Sequence, residues 1–152
     1  MVDWIIKKWE QNKSKLRERL ARTPQEEYDQ YLKLLKIVLD EIVNNEKPDK
    51  DYGFCYKTIS TKDIQQIDYG DYQGTLIFVF HQNTYKPDKN ETFYTVVDYG
   101  SCSVCDTLMG ISDYDCGSPT EKQLNDYMTL CLHLVQNIKC FEQDYNTWEN
   151  ID

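Results

Sequence analysis

An α+β fold is what this sequence predicts: an antiparallel sheet of three or four strands, with two N-terminal helices and one long C-terminal helix packed on it. Two observations carry the prediction. Apolar residues recur at helical spacing early in the chain, switch to a period near 2 through its middle, and return to helical spacing near the end. The resulting order, helix–helix–strands–helix, separates helices from strands along the chain, as α+β proteins do.

Each element has a local reason. The first helix is expected over about residues 3–20, with Trp4, Ile5, Trp9, Leu16 and Leu20 leaning to one side and a basic side exposed. A second opens with TPQE: Thr23 as N-cap, Pro24 at the first helical position and Glu26 three residues after the cap. Tyr28, Tyr31, Leu32, Leu35, Val38, Leu39 and Ile42 then form its apolar stripe. The last helix repeats that opening as SPTE (118–121), followed by Leu124, Tyr127, Met128, Cys131, Leu134, Val135 and Ile138. TLIFVFH (75–81) is apolar on both faces, as in a central strand covered on each side. TFYTVVDY (92–99) is a second strand and FCYKTIS (54–60) a third. DYGDYQG (68–74) supplies two glycines for a turn, and NTYKPDKN (83–90) a polar hairpin loop. From residue 144 the chain turns polar, apart from Trp148, and is expected to be a mobile tail.

Length and charge limit the function. At 152 residues the chain is expected to be one domain, 1–152, too rich in apolar and aromatic residues to be disordered. It has no apolar run near the roughly 20 residues a membrane span needs, and no signal-peptide pattern at its start. A cytoplasmic protein is therefore expected. Net charge is −9 overall, but residues 1–22 carry seven Lys and Arg against three Asp and Glu. The acidic remainder would repel nucleic acid, whose binding rests on neutralised phosphates. It suits a basic protein surface instead, including one that ordinarily holds nucleic acid.

Six cysteines without a secretion signal point to thiols or metal ligands. Cys102-x2-Cys105-x10-Cys116 places three in one loop region. Three readings stay open for them. Zinc would take Cys102, Cys105 and Cys116 plus a fourth ligand from Cys55, Cys140, His81 or His133. A strand leading into C-x-x-C before a short helix suits thiol–disulfide exchange, although Asp106 beside Cys105 opposes a thiolate and no thioredoxin-like βα unit precedes the strand. Otherwise Gly100, Ser101 and Ser103 make a tight turn in which cysteine packs as a small hydrophobe. Cys131 is expected in the core, Cys140 off the apolar stripe, and Cys55 packed in a strand.

The segment YGSCSVCD (99–106) resembles a Y-G-S-C-S-x-C-D signature of small, uncharacterised bacteriophage-borne proteins. The likeness covers about eight residues. It implies an accessory protein made in an infected bacterium, a setting in which such proteins disable host machines, CRISPR effectors among them.

Twelve tyrosines, many beside an aspartate, complete the pattern. Tyr28, Tyr31, Tyr94, Tyr99 and Tyr127 are explained by helix stripes and a strand. Asp68, Tyr69, Asp71 and Tyr72, with Asp113, Tyr114 and Asp115, are not. Tyrosine concentrates in protein interfaces, and spaced carboxylates imitate phosphates toward an arginine-rich groove. Catalytic signatures are absent: no P-loop, no G-x-S-x-G elbow, no H-E-x-x-H, and only His81 and His133 as histidines. The expectation is thus a non-enzymatic, anti-CRISPR-like inhibitor without cofactor, binding a basic host protein or nucleoprotein through those seven residues. Its basic N-terminal helix offers a second interface, for a homodimer or a docking partner. The alternatives are a zinc-stabilised or thiol-redox protein centred on the cysteine segment, and a structural or assembly subunit.

Overall fold

The structure, a computed structural model, describes residues 3–44 and 58–141. The expected strand start at 54–57, Cys55, the tail at 144–152 and the side chain of Trp4 lie outside the described residues.

The fold is α+β. Helices α1 (Asp3–Arg22) and α2 (Tyr31–Val38) precede strands β1 (Gln65–Gly70), β2 (Gly74–His81) and β3 (Thr92–Tyr99). A short helix α3 (Thr107–Ser112), the long helix α4 (Glu121–Gln136) and a two-residue strand β4 (Lys139–Cys140) follow. The four strands form an antiparallel sheet in the order β1-β2-β3-β4.

Period two in β2 and β3 sorts side chains between the two faces. Leu76, Phe78, Phe80, Phe93 and Thr95 point to the helices and are buried. There the Thr95 hydroxyl donates to the Leu134 carbonyl of α4 at 2.9 Å. On the opposite face Ile67, Ile77 and Val96 form a cross-strand row, with Ile67 and Val96 exposed. This corrects the expectation of a strand covered on each side: among the described residues, the helices cover one face.

Helix α1 buries Ile5, Trp9, Leu16 and Leu20 against α4 and the π-helical turn Leu39–Val43 that continues α2. Its arginines reach the acidic body. Arg17 pairs with Glu121 at 2.8 Å and Arg19 with Glu41 at 3.1 Å. Such partly exposed pairs contribute about 0–1 kcal/mol each, so burial rather than charge docks this helix.

Both expected helix openings shift. Residues 23–30 are not helical, because tertiary partners outcompete the capping box. Thr23 donates back to the Arg19 carbonyl, closing α1. Gln25 pairs through its backbone with Gly117, at 2.6 and 3.1 Å. The buried Gln25 side chain accepts from the Tyr127 hydroxyl at 2.6 Å. Tyr28, expected in a core stripe, is consequently exposed. Helix α4 is capped by Thr120 rather than Ser118, since Gln123 exchanges reciprocal hydrogen bonds with Thr120. It also stops at Gln136, which puts Cys140 in β4 opposite Phe93 and buries it. In 58–60, Ile59 makes a single bridge to Gln82, and β1, whose last three residues were read from sequence as part of a turn, supplies the third long strand.

No helix among the described residues is long and apolar enough to cross a membrane.

Buried Tyr127 makes stability pH-dependent. Burial, then the charges of Asp29 and Asp115, push its phenol up to about 12 from 10.0. The unfolded chain therefore releases this proton before the folded chain does. The contribution is complete below pH 10 and is lost as pH rises toward 12. Urea midpoints are expected to fall over that window and to fall less steeply in Tyr127→Phe. An unaltered slope in the variant would contradict the assignment.

Candidate functional site

The β1–β2 hairpin presents the first Tyr/Asp cluster. Gly70 and Gly74 face each other across the hairpin, so closely that a Cβ on either would meet backbone within 2.2 Å. Only glycine fits there, as the two-glycine turn required. The tip carries Asp71 and Tyr72, with Asp68 and Tyr69 on the strand below. Tyr69 is 67% exposed and Tyr72 82%, uncommon for rings with so much apolar surface. Asp68 also has an internal role, accepting the Tyr99 hydroxyl at 2.5 Å. That bond raises the Tyr99 phenol to about 12.

The second cluster lies in the loop after α3. Asp113 and Tyr114 both adopt left-handed backbone, with φ of 48° and 63°. Aspartate tolerates this region and tyrosine does so poorly. The Asp113 N–H closes α3 on the Met109 carbonyl at 2.7 Å, and Asp115 accepts from the Gln123 amide at 2.9 Å. Tyr114 packs edge-on against Tyr28 at 6.1 Å.

A cavity of 250 Å³ has Asp68 and Tyr99 on the hairpin side and Asp29, Tyr31, Asp106 and Met109 on the helix side. Both clusters thus border the segment 24–31, the hairpin across this cavity and the 113–115 loop through Tyr28. Three carboxylates line the cavity, giving this end of the molecule an acidic interior as well as an acidic rim.

The cysteine loop, 100–106, meets this cavity through Asp106, and that buried residue organises it. The carboxylate accepts from the Tyr31 hydroxyl at 2.8 Å, the Gly100 N–H at 3.0 Å and the Met109 N–H at 3.1 Å. The last bond makes Asp106 the N-cap of α3. Tyr31 completes the knot by accepting the Leu108 N–H at 3.1 Å. Burial drives the Tyr31 phenol strongly upward, so it stays a neutral donor. The loop is tight because two glycines admit it: an ideal Cβ on Gly100 would stand 2.4 Å from the Cys105 Cβ, and one on Gly110 2.7 Å from the Ser103 carbonyl oxygen.

Within this loop the Cys102 and Cys105 sulfurs are 3.1 Å apart, with Cys105 exposed and Cys102 partly so. Cys102 is pulled down, first by the hydrogen bond from the Cys105 thiol and then by the backbone N–H groups of Cys105 and Val104. Cys105 is pushed up, first by that shared hydrogen bond and then by the Cys102 charge, with a smaller push from Asp106. Cys116 is exposed and does not complete a ligand set: among the described residues no group of three or more His, Cys, Asp or Glu is placed to hold a metal ion. Cys131 is in the core, and burial raises its thiol well beyond the ordinary range.

Sequence reading missed Asp106, Tyr31 and Gln25 as organising residues. An aspartate ahead of the apolar TLMGI run was a usable N-cap signal for Asp106. Nothing local marks Gln25, whose partners are about 100 residues away. Comparison with protein-family models, curated proteins and solved structures finds no match.

Proposed function

We propose that this chain is a non-enzymatic binding protein that uses its Tyr/Asp end to occupy a basic groove on a host protein or nucleoprotein, in the manner of an anti-CRISPR-like phage inhibitor. The observation that carries the reading is the exposure of Tyr69 and Tyr72 beside Asp68 and Asp71 on a glycine-braced hairpin. Exposed tyrosines bring contact area at modest entropic cost, and the carboxylates select a cationic partner. The left-handed 113–115 loop adds a second acidic, aromatic element at the same end. A bacterial host follows from the resemblance of residues 99–106 to the phage signature, and from nothing else. Dimerisation through α1 is the weaker reading, because Ile5, Trp9, Leu16 and Leu20 are buried within the chain.

Asp68 and Asp115 hold Tyr99 and Gln123, so Asp71 and Asp113 are the residues to reverse without disturbing those bonds. Asp71→Lys with Asp113→Lys is expected to weaken binding to a partner purified on the wild-type chain at least tenfold, on the order of 1.4 kcal/mol. Adding Tyr72→Ala should remove on the order of 2 kcal/mol more, the loss expected of an aromatic anchor. Short duplex DNA should compete for the same partner. Binding unchanged by charge reversal, with the variant still folded, would overturn the reading.

A further inference from the structure

We propose that Cys102 and Cys105 form a reversible dithiol–disulfide site that reacts with an external disulfide, Cys102 attacking and Cys105 resolving. This goes beyond the binding function and does not depend on it.

The geometry is prepared for ring closure. A disulfide needs a separation of about 2 Å, so the sulfurs must approach by roughly 1 Å from their present 3.1 Å. The turn that brings them together is already made. The N–H groups of Cys105 and Asp106 both donate to the Cys102 carbonyl, at 3.0 and 2.9 Å. Gly100 lies under Cys105 and Gly110 under Ser103, so the loop rests on backbone on two sides. Asp106 anchors its end through three hydrogen bonds. Both sulfurs nevertheless reach the surface. The other described thiols lack this combination: Cys131 and Cys140 are buried, and Cys116 is exposed with no partner thiol among the described residues.

The order of attack follows from what surrounds each sulfur. One proton removed from the pair leaves the anion on Cys102, where the Cys105 thiol and two backbone N–H groups stabilise it, while Cys105 keeps its proton. The Cys102 thiolate attacks one sulfur of R–S–S–R, forming the Cys102–S–S–R bond and releasing RS⁻. Cys105 then loses its proton to solvent and attacks the Cys102 sulfur, expelling the second RS⁻. The protein dithiol is oxidised by two electrons and the external disulfide is reduced to two thiols. The released proton and the one lost earlier protonate those thiolates.

The test uses the full-length chain, reduced and freed of reductant, with glutathione disulfide as one probe and a cystine-linked peptide as the other. Peptide mass mapping is expected to find a Cys102–Cys105 disulfide with at least one probe, reversed by dithiothreitol. The faster probe identifies the source class. In Cys105→Ser the reaction should stop at a mixed disulfide on Cys102. In Cys102→Ser the adduct on Cys105 should form about tenfold more slowly, since a thiolate there stands beside Asp106 and lacks the two backbone N–H groups that face Cys102. Melting curves of both variants establish that they remain folded. Free Cys102 and Cys105 with both probes, or modification of Cys116 alone, would overturn the site. Equal adduct rates in the two variants would overturn the assigned roles. Every readout is sulfur chemistry without a partner, so failure here leaves the binding proposal standing and failure of that proposal leaves this one.

Discussion

Asp106→Ala is expected to lower the unfolding free energy by about 3–5 kcal/mol, an effect larger than any single surface change in this chain. The carboxylate takes three hydrogen bonds while 5% exposed. Its removal leaves the buried Gly100 N–H and Tyr31 hydroxyl and the part-buried Met109 N–H without their acceptor. A stranded buried donor costs about 1–3 kcal/mol, and the three share one environment, so the sum is less than additive. Asp106→Asn separates charge from shape. The Tyr31 and Met109 donors meet Oδ1, which an asparagine oxygen can still serve, whereas the Gly100 N–H meets Oδ2 and would then face an amide N–H. About half the loss is therefore expected. Urea titration gives both values, and an Asp106→Ala loss under about 1 kcal/mol would show that the knot is not a structural anchor.

The same knot explains why the cysteine loop, α2 and α3 act together. Tyr31 opens α2, Asp106 opens α3, and Gly100 leaves β3; the bonds among them tie three elements at one point. The segment 99–106 runs from Tyr99, which holds the hairpin through Asp68, to Asp106, which holds the helices. Its residue types have local causes: glycine for close approach, aspartate for capping, and two cysteines for proximity.

Legibility from sequence tracked how local the cause was. Strand β3 was read at its true limits and β2 within one residue, but the continuous apolar run of β2 suggested cover on both faces where burial alternates. Helix α4 was found from its stripe, but its start was misplaced because SPTE and TEKQ both fit a capping pattern and Gln123 selects the second. Strand β1 escaped because all six of its residues are exposed, leaving no burial pattern to read; its ladder to β2 defines it. Residues 23–30 looked helical until Gly117 claimed the backbone of Gln25. At the candidate site, the C-x2-C spacing and the Tyr/Asp pairs could be read directly. The buried Tyr31–Asp106 bond, 75 residues apart in sequence, could not.

Phe93→Ala should cost about 3–5 kcal/mol, and for a different reason than Asp106. Phe93 is fully buried on the helix-facing side of β3. It lies opposite Phe80 on β2 and Cys140 on β4, and its ring stacks on Phe80 at 6.1 Å and 26°. Truncation removes the transfer free energy of the ring and leaves a cavity that β4, only two residues long, is poorly placed to fill. The aromatic pair adds about 0.5–1.5 kcal/mol to what area alone would give. For a chain of this size the melting temperature should fall by roughly 10–15 °C. Phe93 sits at the start of β3, whereas Tyr99 and the cysteine loop lie at its other end. Below its lowered melting point the variant should therefore retain the Cys102–Cys105 reaction, while Asp106→Ala, at comparable stability, should close that disulfide more slowly. Equal slowing in both would mean that global stability, rather than the Asp106 knot, holds the two sulfurs together.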